Sequence, residues 1–171
     1  MKRLPWIFAL LVLSPAFAQG AAPPADWKEF SPLIGAWIAD PPSPDTGVRG
    51  GFTLETALSG RVLVRKNWAE YPPSKDRSAS RHDDLMVVYR EGSGVRADYY
   101  DNEGHVIRYG VSVPTPGNYV FLGDPREGQP RFRLTQSIDA AGALSILFEI
   151  APPGASNDFK PFIKATAHKK S

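Results

Sequence analysis

The sequence predicts an all-β protein of about ten short antiparallel strands. Three observations carry this. From Gly35 onward, segments rich in Val, Ile, Phe, Tyr and Thr recur every 10 to 15 residues. Turn residues punctuate them: Ser59-Gly60, Gly92-Ser93-Gly94, Asn102-Glu103-Gly104, Pro114-Thr115-Pro116-Gly117 and Pro152-Pro153-Gly154 among others. Within the segments apolar and polar residues alternate with a period of two. Regular short strands with turn signals read as a sandwich or a barrel.

The first residues read as a secretory signal. Lys2 and Arg3 give a positive start, Trp6 to Leu13 is an apolar run of eight, and Ala16-Phe17-Ala18 has the small-x-small form cut by signal peptidase. The run is too short for a permanent span, which needs about 20 residues. Residues 1–18 are therefore expected to be a signal peptide, 19–26 a disordered Pro/Ala leader and 27–171 one domain. Without cysteine there is no lipid-modified cysteine to tether the chain, no disulfide and no thiol nucleophile. The expected product is a periplasmic or secreted monomer, free of the membrane once the signal is cleaved. Lys+Arg total 20 and Asp+Glu 18; removing Lys2 and Arg3 leaves 18 against 18, so the mature chain is formally neutral. It carries no electrostatic footprint for nucleic acid.

Trp27, Phe30 and Ile34 fall at helical spacing with Asp26 as a cap, and Pro32 limits the segment to a short helical turn. The turn at 41–45, PPSPD, separates the first two strands. The strands are expected at 34–39, 48–57, 61–70, 84–90, 95–101, 105–113, 117–123, 130–138, 143–150 and 159–167. In 143–150, Leu144, Ile146, Phe148 and Ile150 share one side; in 130–138, Phe132, Leu134 and Ile138 oppose Arg131, Arg133 and Thr135. Each strand buries one face and wets the other.

The stretch 95–113 fixes its own register. With Asn102-Glu103-Gly104 as a three-residue loop and Gly104 left-handed, Tyr99 faces Ile107, Ala97 faces Tyr109 and Val95 faces Val111 on the inward side. Tyr100 meets Val106 and Asp98 meets Arg108 on the other. A slip of one residue destroys both patterns. The outward pair contributes only about 0.2–1 kcal/mol and serves as a register check. Asp101 and His105 then meet inward at the turn. A carboxylate beside an imidazole orients it and fixes its tautomer, as a proton-handling or ligand-contacting pair requires. The plainer reading is a charged bracket for a tight turn.

Leu33-Ile34-Gly35-Ala36-Trp37 joins a helical turn to a strand that opens with Gly-x-Trp. This resembles the calycins (lipocalins, fatty-acid-binding proteins and nitrobindins), where the tryptophan packs across the closed end of a barrel. A closer resemblance is to a family of exported bacterial lipocalin-like barrels with no assigned activity. It rests on residues 33–37, Arg96 through Ile107, Arg131-Phe132-Arg133-Leu134 and Phe148 through Gly154, within 27–167. The resemblance implies a single antiparallel up-and-down barrel of about ten strands. Barrels of this class often hold a small cavity at one end; the strand aromatics then suggest Tyr99, Tyr109 and Phe132 as an apolar wall for one small apolar or amphipathic molecule, and the hairpin register suggests Asp101 with His105 as the polar contact at the mouth.

Other constellations give weaker alternatives. Nitrobindins hold haem through a histidine near the barrel's C-terminus, which singles out His168; here Ile38-Ala39-Asp40 replaces their further glycines, and the parity of His168 points it outward. No cofactor is therefore expected beyond this haem alternative. Arg96 and Arg133, offered as carboxylate anchors by analogy with fatty-acid-binding proteins, also point outward. His82-Asp83-Asp84 reads as a solvated charge cluster at a strand start and not as a metal site. No Gly-x-Ser-x-Gly, phosphate loop or dinucleotide fingerprint is present. Binding is favoured over catalysis, with three alternatives: an Asp101–His105 general base, a haem protein, or a structural domain with a filled core.

Overall fold

The computed structural model describes residues 25–41 and 47–170. The expected signal at 1–18, most of the leader at 19–26 and all of the turn at 41–45 except Pro41 lie outside them. Ten antiparallel strands follow one another: β1 (Gly35–Ala39), β2 (Arg49–Ala57), β3 (Val62–Tyr71), β4 (Ser80–Glu91), β5 (Gly94–Asp101), β6 (Val106–Thr115), β7 (Asn118–Gly123), β8 (Arg131–Ile138), β9 (Leu144–Ala151) and β10 (Lys160–Lys169). Each pairs with its neighbours in sequence, and β1 closes on β10, so the sheet is one closed up-and-down barrel. Closure leaves no strand edge to manage. The seam sets Trp37 opposite Lys169 and Ala39 opposite Ala167.

The strands stand where the alternation predicts, with one instructive exception. β4 begins at Ser80 and not at 84, because its period-two pattern continues backward through the charged residues. Met86 and Val88 are buried, so Asp84 and His82 share their inward side, while Arg81 and Asp83 face out. In β10 a bulge between Pro161 and Ile163 sets two residues against Phe148. Bulges re-aim side chains, and Phe162 meets the Phe148 ring edge-on with centroids 6.3 Å apart.

The 95–113 hairpin has the expected register at every paired position from Val95–Val111 to Tyr100–Val106. Gly104 takes φ +91°, a conformation side-chain-bearing residues rarely adopt. Asp98 and Arg108 are opposite in register but not ion-paired. The Tyr89 hydroxyl, 3.4 Å away, is the group on Asp98, and Arg108 lends its charge to Asp124.

One end of the barrel is plugged. The N-terminal turn is a 3-10 helix, Lys28–Phe30. Its period of three residues buries Trp27, Phe30 and Leu33, so Leu33 takes the place expected for Ile34. Asp26 accepts the Lys28 N–H at 3.0 Å. The plug is tied down by polar bonds at its rim: Trp27 Nε1–H donates to the Gly60 carbonyl (2.9 Å) and the Tyr119 hydroxyl to the Glu29 carbonyl (3.1 Å). Phe30 stacks on Tyr119 at 5.3 Å. Trp37 stacks on Phe52, donates its indole N–H to the Leu33 carbonyl at 2.9 Å, and lies under the Lys169 ammonium. Gly51 permits this packing: a Cβ there would stand 2.5 Å from the Trp37 carbonyl oxygen. Fully burying each such side chain contributes about 1.5–3 kcal/mol.

Candidate functional site

The opposite end, where β5 turns into β6, is built differently. The sheet register runs Phe52, Asn67, Asp84 and Asp101 along one inward row across β2 to β5. The next row toward the plug runs Leu54, Arg65, Met86, Tyr99 and Ile107. His82 stands nearer the rim. Alternation in three adjacent strands thus collects two carboxylates, a guanidinium, an amide, an imidazole and a phenol on one side of the interior.

They form two hydrogen-bonded sets, Arg65–Asn67–Asp84 and His82–Tyr99–Asp101–His105, which meet at the 3.6 Å contact of His82 with Asp84. Arg65 donates from Nη1 to Asp84 Oδ1 (3.0 Å) and from Nη2 to Asn67 Oδ1 (3.0 Å), and Asn67 Nδ2 donates to Asp84 Oδ2 (2.8 Å). The Arg65 guanidinium also lies over the Phe52 ring, 5.0 Å from its centroid. His82 Nε2 is 3.2 Å from the Tyr99 hydroxyl and 3.6 Å from Asp84 Oδ2; its Nδ1 is 3.2 Å from Glu103 Oε1. Tyr99 donates to Asp101 Oδ2 (3.2 Å), and His105 Nδ1 lies 2.9 Å from the same oxygen. The two sets together run from Arg65, buried in the barrel, to His105, 60% exposed at the rim.

Asp101 is the hinge of this arrangement, 3% exposed. Burial pushes its carboxyl up. The His105 N–H and ring, the Glu103 N–H and the Tyr99 hydroxyl together outweigh burial and hold it below its ordinary value. Two of those bonds come from backbone N–H groups of the turn, to Oδ1 at 3.0 and 2.9 Å. Asp101 is thus both the bracket of the hairpin and the group that orients His105. Burial, then the charges of Asp84 and Asp101, push the Tyr99 hydroxyl far up, so it stays a neutral donor. Tyr109, one row deeper and 1% exposed, is pushed up by burial, with Arg65 opposing and Asp84 adding to the shift.

The facing wall is aromatic. Phe132 stacks on Phe148 at 5.9 Å with ring planes 7° apart, both partly buried against the core. Phe162 and Ile163 stand 68% and 45% exposed beside them. The mouth is therefore divided, polar on β3 to β5 and aromatic on β8 to β10. A shallow groove of about 420 Å³ runs along the outer face of β3 to β5, lined by the outward Lys66, Asp83, Leu85 and Tyr100 with Asn67, Asp84 and Asp101.

Of the residues singled out in sequence, Tyr99, Asp101 and His105 come together. Tyr109 is buried behind them, and Phe132 stands on the other wall. His168 is exposed on the outer face with Nδ1 2.8 Å from Asp40 Oδ1. Arg133 and Arg96 also face out, paired with Glu149 and Asp124. Sequence reasoning missed Arg65, Asn67, His82 and Asp84 as inward groups. The signal was present: Leu63, Arg65 and Asn67 share a parity, as do His82, Asp84, Met86 and Val88.

Fold and mouth together define the class: a closed ten-stranded antiparallel barrel, plugged at one end, consistent with a calycin-like fold. A scan against models of known protein families finds no match for the chain, and a search of curated proteins finds none either. The likeness to calycins is one of architecture.

Proposed function

We propose that this protein is an exported binding protein for a small amphipathic molecule, held at the open end of the barrel. The observation that carries the reading is the divided mouth. The polar part of the ligand meets His105, His82 and the Tyr99–Asp101 pair, and its apolar part covers Phe132, Phe148 and Phe162. Buried charge networks cost desolvation and are weak contributors to stability. A convergent polar cluster with perturbed ionisation, beside exposed apolar surface in a concave opening, is the usual form of a ligand site. Export rests on the N-terminal signal pattern; neutrality of the mature chain supports a partner other than nucleic acid.

The test is a native mass spectrum of the protein taken from the exported compartment, compared with its denatured spectrum. The expected result is an extra mass lost on denaturation. His105→Ala and Phe132→Ala should each weaken rebinding by about tenfold, near 1.4 kcal/mol. A bare mass in the native spectrum, with no amphipathic probe retained, would overturn the reading in favour of a structural barrel with a filled core.

A further inference from the structure

A second polar feature lies deeper and is independent of the mouth. Gln136 on β8 is 0% exposed, and neither its Oε1 nor its Nε2 has a hydrogen-bond partner in the protein. Its parity is inward, in line with Leu134 and Ile138 on its own strand. Across the sheet it stands between Tyr119 and Ile146. The Tyr119 hydroxyl donates its proton to the Glu29 carbonyl and makes no bond to Gln136. The amide is therefore set into an apolar surround, toward the plugged end of the barrel, with two donor hydrogens and an acceptor oxygen unused.

Buried polar groups in folded proteins are almost always bonded, to protein or to an enclosed guest. A leucine or methionine of similar size would fill this position with no such need. An acceptor alone would leave the amide oxygen unmet, and a donor alone would leave the N–H groups unmet. The group that serves both is a hydroxyl, which donates once and accepts twice. We propose that Gln136 is the anchor of an internal subsite for a small hydroxyl-bearing guest, either an enclosed water molecule or the hydroxyl of a bound alcohol.

The experiment is through-space magnetisation-transfer (NOE) NMR from the side-chain amide protons of Gln136 in the full protein, with Gln136→Met as control. The expected result is transfer from the Gln136 amide protons to a long-lived bound partner, absent in Gln136→Met. Transfer at the water frequency with a bare native mass identifies water; transfer to carbon-bound ligand protons with an added mass identifies an alcohol. An unfilled amide predicts the opposite pair of results. Wild type would show no transfer, and Gln136→Met would melt several degrees higher (~3 °C or more for a chain of this length) by removing an unbonded polar group. That pair overturns the proposal. The transfer and the melting of Gln136→Met do not depend on what occupies the mouth, and an added mass that Gln136→Met retains belongs to the mouth, so the two readings fail separately.

Discussion

The two ends of the barrel bury large side chains by opposite means. At the plugged end, Trp27, Phe30, Leu33 and Trp37 are 0–6% exposed, and both indole N–H groups are satisfied by backbone carbonyls. The polar atoms of these four side chains serve their apolar packing. At the open end, Arg65, Asp84 and Asp101 are nearly as buried, but they are satisfied chiefly by one another and by the turn that they brace. Packing alone accounts for the first arrangement. The second costs desolvation of several charges, and an apolar cluster of the same size would hold the barrel at least as well. The difference places the apolar packing at one end and the buried charges at the other.

Substitutions should separate the two. The largest effect is expected from Trp37→Ala, which leaves a cavity against Phe52 and cuts the link to Leu33. It should cost about 3–5 kcal/mol, read as a lower urea midpoint with an unchanged slope. Next comes Asp84→Ala, which strands the Arg65 guanidinium without a carboxylate and should cost about 3 kcal/mol. The double change Arg65→Met with Asp84→Leu should recover most of that loss, to within roughly 1 kcal/mol of wild type. If the double variant stays as unstable as Asp84→Ala, the open end is a stability element and the contrast fails.

Acid separates the ends more gently. The Asp101 carboxyl is held below its ordinary value in the folded protein, so it binds protons less readily there than in the unfolded chain. Its contribution is complete above the ordinary carboxylate range. It declines as pH falls through that range and is gone below the folded value. Urea unfolding at pH 7, 5, 4 and 3 should show this decline in wild type and a shallower one in Asp101→Asn. Equal slopes would mean that Asp101 does not couple the hairpin to pH.

The fold was legible because alternation and turn chemistry agree along the chain. The β5–β6 hairpin is the clearest case: its inward set, its glycine and its loop length select one register. The polar site was only half legible. Asp101 and His105 are four residues apart and meet through that hairpin, so local reasoning finds them. Arg65, Asn67 and Asp84 meet Asp101 only through strand pairing across β3, β4 and β5. Their charged character also disguised the inward parity, because a charged residue in a strand is ordinarily read as facing water. The same bias hid the first four residues of β4. In β10 the bulge between Pro161 and Ile163 leaves no signal in alternation, so the contact of Phe162 with Phe148 was not legible.

The smallest expected effect on stability is also the most informative about the mouth. His105 is 60% exposed, and its ring bonds Oδ2 of a carboxylate that already has three other donors. His105→Ala keeps the backbone N–H on Asp101, so the turn stays braced and unfolding should shift by no more than about 0.5 kcal/mol. Retention of an amphipathic ligand should nevertheless fall, because the alanine removes a polar contact at the rim while the aromatic wall is unchanged. Measured together, the urea midpoint and the native mass spectrum read the two quantities independently. A stability loss as large as that of Asp84→Ala, with ligand retention unaltered, would make His105 part of the brace and move the binding surface to Phe132, Phe148 and Phe162.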